Sequence, residues 1–210
     1  MPDSSNSNPV PRVLLVIGHG RRTSLCHHLL GRVEDRLTAL GIEHQTQDLL
    51  VDGFDPVLRL EEGQENAGKV DPEQDRLTAA YQEAVGWADG YIIVHPVWWF
   101  APPAILKGWV DRVLVDGVAL RQPADGPPEG VLSGRRALVL QTFNADRIVD
   151  KVVFGSISRR FWRRAVFFPV GINKATYFPV YSAGNLNEVR LHRIEERLER
   201  TVGAFVAQLR

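Results

Sequence analysis

The feature that most constrains the fold of this chain is a regular alternation between short β-rich apolar runs and longer segments with helical spacing. Residues 13–17 form a continuous apolar run closed by Gly18, which is typical of a strand buried on both faces. From Ser24 onward the spacing changes, and Gly41 supplies a C-terminal stop signal. The apolar positions of this first predicted helix are Leu25, Leu29, Val33, Leu37 and Leu40.

The same alternation continues to the end of the chain. Four further strands are predicted over residues 42–50, 91–95, 135–141 and 175–181, the first of them near a sheet edge because of its polar insertions. Helices are predicted from Asp71, over 103–115, and from Asn185, and a further helix face consists of Ile157, Phe161, Ala165 and Phe168. Five strands separated by helices predict an α/β fold with one open, parallel, doubly wound sheet. Residues 122–134, rich in proline and glycine, are predicted to be a surface excursion without periodic structure.

Composition narrows the possible functions. The 25 basic and 25 acidic side chains balance, which gives no electrostatic reason to expect nucleic acid or an acidic membrane as a partner. The single cysteine, Cys26, excludes a disulfide framework and a multi-cysteine metal site, and no apolar run approaches the roughly 20 residues of a membrane span. We expect residues 1–11 to be a disordered leader, 12–210 to be a single domain, and the compartment to be the cytoplasm.

Ligands bind parallel sheets at the carboxyl ends of the strands, so the loops after strands one, three and four are the candidates. The first, GHGRRTS, begins like a dinucleotide fingerprint but has Thr23 where a glycine is needed. Its two hydroxyls, Thr23 and Ser24, precede a helix N-terminus, where free amides favour phosphate, and His19, Arg21 and Arg22 add donors. The alternative is that these hydroxyls merely cap the helix.

The loop after the third strand, HPVWWFAPP, contains three consecutive aromatic residues between prolines. The prolines restrict the conformation of the backbone. Backbone amides held in fixed positions beside flat aromatic rings are suited to a flat heteroaromatic ligand. The alternative is a core loop or a contact between subunits.

Two segments, WFAPPAILKGWVDRV and LLVIGHGRRTSLCHHLL, resemble the NAD(P)H:quinone oxidoreductase family. The resemblance runs from about Arg12 to the last helix. It implies a flavodoxin-like three-layer sandwich, in which a five-stranded parallel sheet has helices on both faces. It further implies a bound flavin (FAD or FMN), NAD(P)H as electron donor, a quinone-like acceptor for two electrons, and a homodimer.

The resemblance also assigns candidate binding residues. His19, Thr23 and Ser24 match positions that hold the flavin phosphate, and Leu25 and Cys26 begin the helix that faces it. Positions that lie along the flavin ring in the family are matched by Pro96, Val97, Trp98, Trp99 and Phe100, and of these Trp99 and Phe100 would wall the substrate slot. The third flavin-binding loop of the family is matched by Gln141, Thr142, Phe143 and Asn144. The Tyr-His pair of better-known members has no match here, so no catalytic residue is assigned.

Several alternatives remain open at this level. The same scaffold serves azo- and nitroreductases, and similar flavoproteins act as ancillary subunits of potassium efflux systems. A one-electron flavodoxin carrier is disfavoured because such carriers are usually strongly acidic and this chain has no net charge. Adjacent His27 and His28 point about 100° apart on a helix, so no metal site is expected. A cluster of four arginines (Arg159, Arg160, Arg163 and Arg164) is either a solvated helix face or a site for the 2′-phosphate of NADPH.

Overall fold

A computed structural model describes residues 10–59 and 68–209 of the chain. The strands are β1 (Arg12–Ile17), β2 (Glu43–Asp48), β3 (Gly90–Pro96), β4 (Leu120–Arg121), β5 (Glu129–Gly130), β6 (Arg136–Thr142) and β7 (Lys174–Val180). The main sheet is parallel and five-stranded, in the order β2-β1-β3-β6-β7. The helices are α1 (Leu25–Ala39), α2 (Arg76–Trp87), α3 (Ala104–Val113), α4 (Ile157–Arg160) and α5 (Glu188–Ala207).

The core lies in two layers, one on each face of the sheet. Alternate residues of β1 contribute to both, Leu14 and Val16 to one layer and Val13 and Leu15 to the other. Helices α2 and α3 and the connection from β6 to β7 cover the first face, and α1 and α5 cover the second. The predicted α/β class and the parallel five-stranded sheet are confirmed, and β2 is an edge strand, as its polar composition indicated.

Two predicted helix starts are wrong because a later residue makes the cap. Asp71 forms a turn instead, and α2 begins at Arg76 after Asp75, whose carboxylate accepts from the Thr78 N–H at 2.9 Å. Helix α5 begins at Glu188 after the cap Asn187, while Ala183–Asn185 forms a separate 3₁₀ turn. Each of these helices is preceded by two residues of a type that can cap it, and the sequence alone does not show which of the two makes the cap.

The helix face predicted between β6 and β7 is also wrong. Ala165 and Phe168 are exposed, and the buried residues are Ser158, Trp162, Val166 and Phe167. The connection contains two π-helical turns, Val149–Val153 and Phe161–Phe167, which change the helical period. A prediction that assumes 3.6 residues per turn therefore chooses the wrong positions.

The excursion at 122–134 is more ordered than predicted. Strand β4 precedes it and pairs with β5, which lies within it, as a short antiparallel hairpin. Leu132 is buried, and its N–H donates to the Val170 carbonyl at 2.9 Å. The predicted leader lies mostly outside the described residues. Val10 and Pro11, which are described, precede β1 without regular structure. No helix within 10–59 or 68–209 has the length and apolar character needed to cross a membrane.

Candidate functional site

Loops from four strands converge on one cleft of about 430 Å³ at the carboxyl end of the sheet. The predicted site residues that line it come from all three candidate loops: His19, Ser24, Leu25, Cys26, Pro96, Val97, Trp98, Thr142 and Asn144. Gly20 and Arg21 complete the first loop's contribution, and Ala183 and Gly184 add a fourth. The last two were missed, although applying the carboxyl-end rule to the fifth strand would have found them.

The other predicted site residues do not line this cleft. Thr23 is exposed beside it, and the indole of Trp99 is 97% exposed. Phe100 stacks on Phe154 with ring centroids 3.6 Å apart. The side chain of Gln141 is buried and bonded to Ser158, and that of Phe143 packs on Tyr181.

The start of α1 is a candidate anion site, and a contact with β2 holds it in place. Ser24 is the N-cap, with Oγ accepting from the His27 N–H at 3.2 Å and lying 2.9 Å from His27 Nδ1. His27 Nε2 is 3.1 Å from the carboxylate of Asp48, the last residue of β2. By their position, the first amides of α1, at Leu25 and Cys26, have no intrahelical acceptor, and they lie at the positive end of the helix dipole. These amides fit a phosphate.

His19 adds a neutral donor to this loop. Its Nδ1 accepts from the Arg21 N–H at 3.0 Å, so the proton of the neutral ring is on Nε2. Burial, followed by the neighbouring charges of His27 and Arg21, lowers the pKa of His19. The ring meets Trp98 edge to face at 5.9 Å, which joins the first loop to the aromatic loop.

A glycine allows the close approach of α3 to this site. A Cβ at Gly18 would lie 2.7 Å from the Cβ of Leu106, closer than atoms of this kind can come. The end of β1 and the first turn of α3 can therefore meet only because position 18 has no side chain.

The aromatic loop is a tight turn with an uncommon backbone. Trp98 and Ala101 exchange N–H···O bonds of 3.0 Å, and the two residues between them, Trp99 and Phe100, have φ of 50° and 59°. Non-glycine residues adopt this left-handed region at a cost of roughly 1–2 kcal/mol each, and such strain is concentrated at functional sites. The Val97 N–H donates to the Thr142 carbonyl at 2.8 Å. The amides of Val97 and Trp98 are therefore bonded within the protein, and the amides of Trp99 and Phe100 are the ones left for a ligand.

A buried polar group supports the loop from below. His95 is fully buried, with Nδ1 donating to the Pro96 carbonyl at 2.7 Å and Nε2 accepting from the indole N–H of Trp162 at 2.9 Å. Burial lowers the pKa of His95 to about 4, so the ring is neutral at physiological pH. His95 thus links the Pro96 carbonyl, at the start of the aromatic loop, to the π-helical turn Phe161–Phe167.

The loop after β6 is hydrogen-bonded to the end of β7 and to Ala183, which follows it. The Phe143 N–H donates to the Val180 carbonyl and its own carbonyl accepts from the Ala183 N–H, both at 2.8 Å. Thr142 Oγ1 lies 3.4 Å from the Cys26 thiol, whose pKa is raised to about 11 by burial. Cys26 is therefore a protonated packing residue and not a nucleophile at neutral pH.

None of the four arginines lines this cleft. Arg159 and Arg163 line a separate hollow of about 350 Å³ together with Arg136, which begins β6. Arg159 also lines a further hollow of about 340 Å³ with Gln141, Phe143 and Tyr181. The exclusion of all four from the cleft favours a solvated face over a phosphate site within it.

Residues 11–202 match the sequence model of a protein family that is described as having a flavodoxin-like fold. This chain belongs to the flavodoxin-like fold family. An uncharacterized NAD(P)H oxidoreductase of Haemophilus influenzae is 30% identical over 139 residues, which cover 66% of this chain and 66% of that protein. An FMN-dependent NADH:quinone oxidoreductase of Azotobacter vinelandii is 44% identical over 66 residues, or 31% of each chain.

Solved structures extend the similarity over nearly the whole fold. A crystal structure from Streptococcus mutans UA159 has a TM-score of 0.78 and 26% identity, and the match covers 91% of this chain and 98% of that one. By contrast, the sequence matches span 26% to 66% of the lengths of the curated relatives. The flavodoxin-like fold therefore extends over nearly the whole chain.

Proposed function

We propose that this protein is a flavin-dependent NAD(P)H oxidoreductase that passes two electrons to a quinone or a similar acceptor. One observation carries the proposal: a single cleft combines a helix N-terminus suited to phosphate with the half-exposed ring of Trp98, and a strained turn with two free amides follows directly after Trp98. The names of the Haemophilus influenzae and Azotobacter vinelandii relatives support it.

The residues present fit a flavin. The amides of Leu25 and Cys26, the Ser24 hydroxyl and neutral His19 would hold its phosphate, and Trp98 would cover the ring. When bound, a flavin supplies the hydride chemistry. The protein's own part is to orient donor and acceptor, to offer the Trp99 amide to a developing negative charge, and to keep water away. Among FMN and FAD we favour FMN, because the Azotobacter vinelandii relative is named as FMN-dependent.

The test begins with the cofactor. Purified or reconstituted protein should absorb near about 450 nm, which is a property of flavins and of no protein group, and mass spectrometry of the released compound should give FMN. NADH and NADPH should then reduce a simple quinone faster than an azo dye or a nitroaromatic. Protein that takes up neither FMN nor FAD at micromolar concentration would refute the proposal, and a preference for the dye would favour the azoreductase alternative.

We further propose a homodimer in the cytoplasm, with the aromatic turn at the subunit contact. Trp99 is 97% exposed and Trp98 is half-exposed, and a two-fold contact would cover them reciprocally and exclude water from the cleft. Light scattering should give about twice the 23.5 kDa of one chain. Trp99→Asp should weaken the dimer and lower turnover together, because the same residue serves both. A wild-type monomer with full activity would contradict this arrangement.

A further inference from the structure

Three side chains form a chain of hydrogen bonds that leads from the cleft to an edge strand of the sheet. Ser24 lines the cleft, and its Oγ lies 2.9 Å from His27 Nδ1. His27 Nε2 in turn lies 3.1 Å from the carboxylate of Asp48, which ends β2. Ser24 is 8% exposed, and the side chains of His27 and Asp48 are 15% and 18% exposed, so water has little access to these contacts. A change of proton at His27 is therefore transmitted to Ser24.

The carboxylate of Asp48 determines where the proton of a neutral His27 ring lies. An ionised carboxylate can only accept hydrogen bonds, and its other oxygen already accepts from the Val51 N–H at 3.2 Å. The Nε2 atom therefore carries the ring proton, and Nδ1 is left as an acceptor. Since a serine hydroxyl has a single proton to donate, Ser24 donates it to His27 and has none for the cleft.

A second proton on His27 reverses the contact with Ser24. When Nδ1 is protonated, the ring donates to Ser24 Oγ, which also accepts from the His27 N–H at 3.2 Å. The hydroxyl proton of Ser24 is then free to donate into the cleft, toward the ligand that the first amides of α1 would hold. The ring also gains a positive charge near this candidate anion site. Both changes favour a bound phosphate.

Other titratable groups near His27 leave this contact in place. His19, from the loop after β1, meets the His27 ring edge to face at 6.0 Å, and its pKa is lowered from 6.5, so it is neutral above that pH. Arg21, on the same loop, is exposed beside His19. On α1 the adjacent His28 turns to Glu195 of α5, with Nε2 2.6 Å from the carboxylate. The side chains that bond to the His27 ring itself are the two already named.

We propose that His27 is a positioning residue for a phosphorylated flavin, and that binding of the phosphate is coupled to the uptake of one proton at His27 Nδ1. This proton comes from solvent. The Ser24 hydroxyl keeps its own proton and turns it from His27 to a phosphate oxygen, and no bond between heavy atoms changes. The inference rests on the proposed flavin function and adds a dependence on pH to it. Histidine changes its charge between about pH 5 and 8, so the coupling acts in the physiological range.

The experiment is isothermal titration of the full-length protein with FMN at pH 6.5 and pH 8.5. His27→Gln can still donate to Asp48, but it has no acceptor at the Nδ1 position and does not titrate. The two affinity profiles should therefore cross: the wild type binds more tightly at pH 6.5, and the variant binds more tightly at pH 8.5, where it leaves the Ser24 hydroxyl free. A hydrogen bond to a charged group is worth roughly tenfold or more in affinity, so over this range the wild type should lose at least about fivefold more affinity than the variant.

Matched controls separate the histidine, the carboxylate and the phosphate. His28→Gln, at the next position of α1, should keep the wild-type profile. Asp48→Asn keeps an oxygen for the Val51 N–H and offers an amide donor to His27 Nε2, so its pH dependence should largely disappear. Riboflavin, which lacks the phosphate, should give the wild type and His27→Gln the same pH profile. In the flavin-free wild type at pH 8.5, NMR of the ring nitrogens should place the His27 proton on Nε2.

Several results would overturn this inference and leave the flavin proposal standing. They are parallel FMN profiles for the wild type and His27→Gln, the same crossing with riboflavin, loss of the pH dependence in His28→Gln, and a ring proton on Nδ1 at pH 8.5. A wild type that binds no FMN at either pH would overturn the proposed function and the inference with it. Unfolding temperatures show whether each variant is folded, and if His27→Gln is not, Asp48→Asn and the NMR measurement decide.

Discussion

His95 makes the stability of this protein depend on pH in a calculable way. In the folded protein the ring is fully buried, accepts from Trp162 and has its pKa lowered to about 4, against 6.5 for an unperturbed histidine. Below pH 6.5 the histidine therefore binds a proton in the unfolded chain but not in the folded protein. The contribution of His95 to the free energy of unfolding is complete above pH 6.5 and falls as the pH drops toward 4.

The size of the effect follows from the two pKa values. Linkage gives a loss of about 2 kcal/mol in the free energy of unfolding between pH 7.5 and pH 5. This window avoids the carboxylates of Asp55 and Asp75, whose pKa values are lowered and whose contributions are lost only at more acidic pH.

The assay is denaturant unfolding of the wild type and of His95→Gln across this window. The glutamine oxygen can accept from Trp162 but does not titrate, so the variant should lose about 2 kcal/mol less than the wild type between pH 7.5 and pH 5. Its stability at pH 7.5 should be lower, because the Pro96 carbonyl loses its donor. Identical pH slopes for the two proteins would show that His95 is not the group responsible.

Three further predictions concern the site. Ser24→Ala should weaken flavin binding by about 1.5–3 kcal/mol, while Thr23→Ala, at an exposed neighbour outside the cleft, should change it little. Isothermal titration with FMN separates the two, and equal losses of affinity would contradict the geometry of the cleft. Gly18→Ala should lower the free energy of unfolding by about 1–3 kcal/mol because its Cβ would meet Leu106, and an unchanged midpoint in urea would argue against that close approach. At pH 8 a thiol reagent should label Cys26 far more slowly in the folded than in the unfolded protein, because burial raises its pKa to about 11; equal rates would refute the buried thiol.

Local pattern alone was sufficient for part of this structure. Strand β1 is a continuous apolar run, and α1 follows a clear 3.6-residue period from its cap Ser24, so both were placed from the sequence. The order of strands and helices then fixed the carboxyl edge where ligand loops meet. These features depend on residues close together in the chain, which is why sequence periodicity reveals them.

Other features depend on partners far along the chain. Asp75 rather than Asp71 begins α2, and its carboxylate is also held by Arg112 from α3. Trp162 is buried because its indole N–H reaches His95, 67 residues earlier, through a π-helical turn that no 3.6-residue pattern describes.

The same distinction separates the residues of the site from its geometry. Which residue types follow each strand, and therefore which loops could bind a ligand, can be read directly from the sequence. The sequence did not show that the Val97 amide donates to the Thr142 carbonyl, or that Ala183 and Gly184 line the cleft. These features rest on contacts between residues that are neighbours in space, and the chain brings such residues together only when the whole sheet has formed.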